Sequence, residues 1–153
     1  MIDYVNYWEE ANQFADIFDY KEEFDKKNLN YTKIEVGKKL PFKDKEFDYV
    51  ILSHVLEHVP NDYKALKELY RILKHHGITI ITVPGNWGRE QIIEYDIPDG
   101  NGHYRDYGFN FISVLENIFT VIECIDLYKY NDIYHLPIGL TPQHDWAFLC
   151  RKN

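Results

Sequence analysis

The clearest hydrophobic runs lie in the middle of the chain. Asp48-Tyr-Val-Ile-Leu52 and Ile78 to Val83 are short and continuously apolar, as parallel strands covered on both faces should be. Between them Leu66, Leu69, Tyr70 and Leu73 recur at helical spacing, behind Asn61 or Asp62 as a cap. Lys74-His75-His76-Gly77 predicts the helix end, with cations in the last turn and Gly77 as the left-handed residue. Strand, helix and strand over Leu40 to Pro84 make a right-handed βαβ unit. Ser53-His-Val-Leu-Glu-His-Val59 then sits at the carboxyl end of the first strand, where open α/β sheets bind ligands.

Toward the N-terminus the pattern predicts a short strand at Ile2–Val5. A helix follows from Trp8 to about Lys27, with Trp8, Ala11, Ala15 and Phe18 on one face, an acidic opposite face and an interruption at Asp19-Tyr20. Thr32, Ile34 and Val36 alternate with charged residues in a second strand, Tyr31 to Val36. Beyond Pro84, turn formers predict a long loop over 84–108, of the kind that often serves as an active-site lid, with a short helix near Arg89 to Glu94. Asn110 to Ile118 reads as a helix. Phe119 to Leu127 and His144 to Arg151 read as strands forming an antiparallel edge on a parallel sheet.

The 153 residues suffice for one domain with its own core, and an apolar content of 45% fits a globular chain. A net charge of −8 argues against a nucleic-acid backbone or an anionic membrane as partner, since both need a basic face. The N-terminal segment lacks a signal-peptide core and no run reaches membrane-spanning length, so the cytoplasm is the expected compartment. Cys124 and Cys150, both in predicted strands, read as reduced thiols.

The segments LPFKDKEFDYVILSHVLEHVPN and LKELYRILKHHGITIITVP resemble the class I S-adenosylmethionine-dependent methyltransferases, in particular their small-molecule branch. Gly102-His-Tyr-Arg-Asp-Tyr107 is similar to that branch's H-x-R-x-Y element, and the terminal strand pair fits its last two strands. The resemblance runs from about Tyr31 to the C-terminus. It implies an α/β, Rossmann-like open sheet, mostly parallel with an antiparallel C-terminal strand, as a single domain over 1–153. No glycine precedes Gly37, so the family's Gly-rich cofactor loop and first strand are expected to be lacking, as in an N-terminally truncated member. Such a sheet lacks its middle. Residues 2–5 then fill the central slot, a partner chain supplies the strand, or the flanking strands pair directly.

By the same resemblance Asn6 stands where an acid usually binds the cofactor ribose, and Gly37-Lys38 stand at the adenine position. Ser53 and His54 line the cofactor pocket. Trp87, Tyr104 and Arg105 lie in the substrate-covering segment. Arg105 there either binds an acidic group or pairs with Asp106 or another local acid, and Trp87 either caps a ligand or anchors the loop. His54, His58 and His103 are the candidate catalytic residues, with His54 of suitable type for a general base. A metal could draw on His54, His58 and Glu57 or His103. Strand-end loops rarely keep helical register, however, so no metal is expected.

Two functions follow. One is a methyltransferase using S-adenosylmethionine on a small molecule such as a sugar or natural-product precursor, with substrate positioning as its main contribution. The alternative is a degenerate, non-catalytic subunit of the same fold. Its exposed sheet edge would pair with a partner methyltransferase chain or a second copy of itself.

Overall fold

A computed structural model describes residues 14–16, 21–28, 30–34, 37–127 and 144–153. Within these, β1 (Phe14–Asp16) and β2 (Tyr31–Lys33) form a parallel pair joined by α1 (Lys21–Lys26). A four-stranded sheet has the order β3-β4-β8-β7, built from β3 (Phe47–Ser53), β4 (Leu73–Gly85), β7 (Thr120–Asp126) and β8 (His144–Arg151). A 3-10 turn (Leu56–His58) and α2 (Asp62–Ile72) connect β3 to β4. A small hairpin of β5 (Ile93–Glu94) and β6 (Arg105–Asp106) and then α3 (Phe111–Glu116) precede β7.

The central βαβ unit follows its hydrophobic pattern. β3 and β4 pair in parallel, with Val50 opposite Thr79 and Ser53 opposite Thr82. Asn61 caps α2 by accepting a hydrogen bond from Lys64 N at 2.9 Å. Ala65, Leu66, Leu69 and Ile72 bury the apolar face of α2 in a core shared with Ile81, Val83 and Phe148. Arg71 joins Glu68 and Asp44 and donates to the carbonyls of Leu40 and Phe42, tying the segment before β3 to the helix. The strand β8 runs antiparallel to both β4 and β7. It is thus the reversed strand, and it lies inside the sheet, so β7 rather than β8 is the edge.

Several expectations need correction. The stretch read as one helix from Trp8 to Lys27 contains β1 and, after it, the short α1. Phe24 of α1 packs on Tyr31 at 4.8 Å, so the helix folds back over the parallel pair. β2 ends at Lys33, earlier than the expected strand. The proposed strand Ile2–Val5 and Asn6 lie outside the described residues. At the end of α2 the left-handed residue is His76 (φ 62), not Gly77. The helix's last carbonyls are satisfied from a distance: the Lys152 ammonium donates to Tyr70 O at 2.6 Å and Leu73 O at 2.8 Å. Arg89 to Glu94 is not helical and leads into β5. Finally, β3 is not covered on both faces among the described residues. It pairs on one side only, and Tyr49 is 75% and Ile51 41% exposed.

Both cysteines are free thiols, and burial pushes Cys150 up to about 12. No helix among the described residues is long and apolar enough to cross a membrane.

Candidate active site at the carboxyl ends of the strands

The site is built where β3 ends and β8 begins. The Ser53 hydroxyl accepts a hydrogen bond from the Thr82 hydroxyl of β4 at 2.9 Å. His54 follows in a left-handed conformation (φ 51), a strained choice for a non-glycine residue. Three contacts hold it there. Its N–H donates to Thr82 O at 3.1 Å, Nδ1 lies 3.3 Å from Glu57 Oε1, and Nε2 lies 3.2 Å from Asp145 Oδ2. Hydrogen bonds to Asp145 and then to Glu57 outweigh desolvation and raise the ring to about 10. Both nitrogens are thus engaged by carboxylates, and His54 bridges β3 across β4 to β8.

The H-x-R-x-Y element docks onto the turn that follows His54. Arg105 is 3% exposed. It donates to Leu56 O and Val59 O at 2.7 Å and to Pro60 O at 3.1 Å, while its Nε lies 3.4 Å from Asp62 Oδ2. Substrate contact by Arg105 is thus corrected to a buried clamp on the turn; Asp106 pairs with Arg89 instead, at 2.8 Å. The Tyr107 hydroxyl donates to the same Asp62 carboxylate at 3.2 Å, and burial with that neighbouring charge pushes its pKa well up. Tyr107→Phe removes this one bond. It is expected to cost about 1 kcal/mol of stability, measured by urea unfolding with an unchanged slope.

Trp87 is 8% exposed and stacks on Trp146 at 4.9 Å, with Phe148 at 5.4 Å. This stacking is the loop-anchoring one of the two roles open to it. Tyr104 is half-buried; its N–H donates to Glu57 O at 2.7 Å and its carbonyl accepts from Tyr95 N at 2.8 Å, so its backbone joins the hairpin to the turn. The midpoint of the segment faces solvent, with Ile97 81% exposed.

His58 and His103 are brought together from positions far apart in the chain. Their rings meet edge to face at 4.8 Å, with Glu57 beneath them. On the other side of the turn, Gly37 has φ +95, and a side chain there would meet Val59 Cγ1 at 3.1 Å. Lys38 is exposed. The strand β1 ends on Asp16, an acid that the sequence reading enclosed in a helix.

The arrangement defines an open α/β domain whose polar residues collect at the carboxyl edge of its strands, the ligand side of such sheets. A family model described as "Methyltransferase domain" matches residues 4–81, a little over half of the chain. The chain belongs to this family, the class I S-adenosylmethionine-dependent methyltransferases. Over 119 residues it is 31% identical to the ubiquinone/menaquinone biosynthesis C-methyltransferase UbiE of Rickettsia bellii, which covers 72% of this chain and 44% of that protein. The corresponding enzyme of Haemophilus ducreyi is 33% identical over 106 residues, 67% of this chain and 36% of its own length. The chain thus spans less than half the length of these curated relatives. In fold it resembles the 1,6-didemethyltoxoflavin-N1-methyltransferase of Burkholderia thailandensis, solved with 1,6-didemethyltoxoflavin and S-adenosylhomocysteine bound. The TM-score is 0.73 at 15% identity, covering 97% of this chain and 65% of that one.

Proposed function

We propose that the chain takes part in methyl transfer from S-adenosylmethionine to a small molecule. The observation that carries this reading is the position of Asp16 and Ser53-His54 at the carboxyl ends of β1 and β3, with Gly37 in the segment that follows β2, in a chain of this family. Asp16 ends the strand that pairs in parallel with β2 and is the acid proposed for the ribose hydroxyls; Asn6 lies outside the described residues. Gly37 and Lys38 border the adenine, with no Cβ at Gly37 to intrude. Ser53 and His54 line the wall between cofactor and acceptor. The cofactor supplies the transferable methyl group; the chain holds the two reactants in line and excludes water. His58 and His103, half-open at the same edge, contact the acceptor, and segment 85–108 covers it.

The acceptor is a small molecule. The sequence relatives are C-methyltransferases of ubiquinone/menaquinone biosynthesis, so a carbon of a quinone precursor is the first acceptor to test; a sugar or natural-product precursor is the second. Incubating the protein with methyl-labelled S-adenosylmethionine and each acceptor class separates these arms by the labelled product formed. Label in neither class, with the cofactor bound, would rule out both acceptor types.

A second reading is favoured by the side of β3 that has no paired strand among the described residues, with exposed Tyr49 and Ile51. There a strand from a second copy or from a partner methyltransferase chain joins the sheet edge. Sedimentation of the purified protein across a concentration series should show self-association. Tyr49→Lys should abolish it, and a strict monomer at every concentration would exclude pairing between copies.

A further inference from the structure

The turn after β3 carries a buried carboxylate that the fold leaves incompletely served. Glu57 is 1% exposed, so its charge has almost no water to solvate it. One oxygen, Oε1, faces His54. The other, Oε2, is buried without a hydrogen-bond partner. Burying a carboxylate oxygen without a donor is costly, and natural folds rarely do it without a reason.

The surroundings of that carboxylate indicate what completes it. His58 presents Nε2 3.9 Å from Glu57 Oε1. Its other nitrogen, Nδ1, lies 3.1 Å from the carbonyl of Gly102. A carbonyl only accepts, so Nδ1 is the donor there and Nε2, on the Glu57 side, is the nitrogen left for a ligand. His103 comes in from the opposite strap. Its loop is fixed by Asp99, which accepts hydrogen bonds from the backbone N–H groups of Asn101 at 2.8 Å and His103 at 2.9 Å. One ligand atom from each of Glu57, His58 and His103 lies within 4.8 Å of the other two. Around one ion with bonds of about 2.0–2.1 Å, such atoms stand roughly 3.3 Å apart. The two histidines, 39% and 24% exposed, have the freedom to close that difference by small ring rotations, while Glu57 stays fixed in the core.

We propose that Glu57, His58 and His103 form a binding site for one divalent transition-metal ion of the zinc class. Two imidazoles and one carboxylate suit such an ion, whereas magnesium and calcium prefer all-oxygen sets. The ligand set differs from the one that helical spacing would have offered. His54, which shared the helical spacing, has both ring nitrogens on carboxylates, those of Glu57 and Asp145, and His103 takes its place through the fold. Three protein ligands leave a coordination position open on the solvent side, the arrangement that admits water or a substrate oxygen. The site shares His58 and His103 with the proposed acceptor contacts but uses none of the ribose or adenine contacts, so metal binding is tested separately from methyl transfer.

The test uses tag-free protein stripped with a chelator and titrated with Zn²⁺ by calorimetry, with Co²⁺ as the spectroscopic probe. One ion per chain is expected, together with the visible absorption of low-coordinate Co²⁺. Excess Mg²⁺ or Ca²⁺ should not displace it. His103→Ala and Glu57→Gln should each weaken Zn²⁺ binding by about a hundredfold or more, whereas His75→Ala should leave it unchanged. Should a variant fail to fold, histidine nitrogen resonances of the wild-type protein decide. One equivalent of Zn²⁺ should shift those of His58 and His103 and leave those of His75 and His76 in place. Absence of a stoichiometric ion, or shifts confined to His75 and His76, would overturn the assignment.

Discussion

Arg105→Ala is expected to lower the thermal midpoint by on the order of 10 °C, from a loss of about 3–5 kcal/mol. The size follows from what the guanidinium does in the core. It closes the carbonyls of Leu56, Val59 and Pro60 and lies beside the Asp62 carboxylate, with 3% of the residue exposed. Alanine leaves those acceptors facing a void, and Asp62 keeps only the Tyr107 hydroxyl. Arg105→Lys should recover a minor part, because an ammonium cannot span a fork of three carbonyls. Circular dichroism melts of both variants provide the check. An alanine variant melting within about 2 °C of wild type would show that the clamp contributes no more than a surface contact.

The second large effect is expected at the other end of the site. Asp16→Asn keeps the size and polarity of the side chain and removes its charge. Hydrogen bonds to a charged group contribute about 1.5–3 kcal/mol. Affinity for S-adenosylhomocysteine should therefore fall by roughly ten- to a hundredfold, with the melting temperature of the free protein little changed. Asn6→Ala serves as the contrast, since the position first assigned to the ribose should then leave affinity within about twofold of wild type. A reversed pattern, with Asn6 sensitive and Asp16 silent, would return the ribose contact to the N-terminal segment.

These two residues also show what the chain discloses in one dimension. The runs that became β3, β4 and α2, and the strand boundaries of β8, are readable because each is long enough to display its period and each is bounded by a cap or turn. Phe14–Asp16 has only three residues, too few to show alternation. The apolar positions around it also happen to complete a helical spacing, so the strand that presents Asp16 was hidden. β5 and β6 are shorter still, and only their pairing makes them strands. The site depends on contacts that local sequence does not encode. Arg105 finds its carbonyl partners 45 to 49 residues upstream. His54 is held by Asp145, at the far end of the chain. The resemblance marked the VLEHV and H-x-R-x-Y elements separately; the fold shows them as one interlocked unit, with His103 against His58 and Arg105 beneath the turn.

The same comparison explains the exposed face of β3. Its continuous apolar run was a sound sign of a parallel strand, and the pairing with β4 agrees. Periodicity reports what a segment is fit to pack against. It does not report which neighbours stand beside it, and Tyr49 and Ile51 are open among the described residues.

The most direct test of the account is a calorimetric titration of the purified chain with S-adenosylhomocysteine. The account predicts saturable binding of one molecule per chain, weakened by Asp16→Asn. No heat and no thermal stabilisation at millimolar ligand would contradict cofactor binding by this chain, leaving the sheet-edge subunit as the reading to pursue.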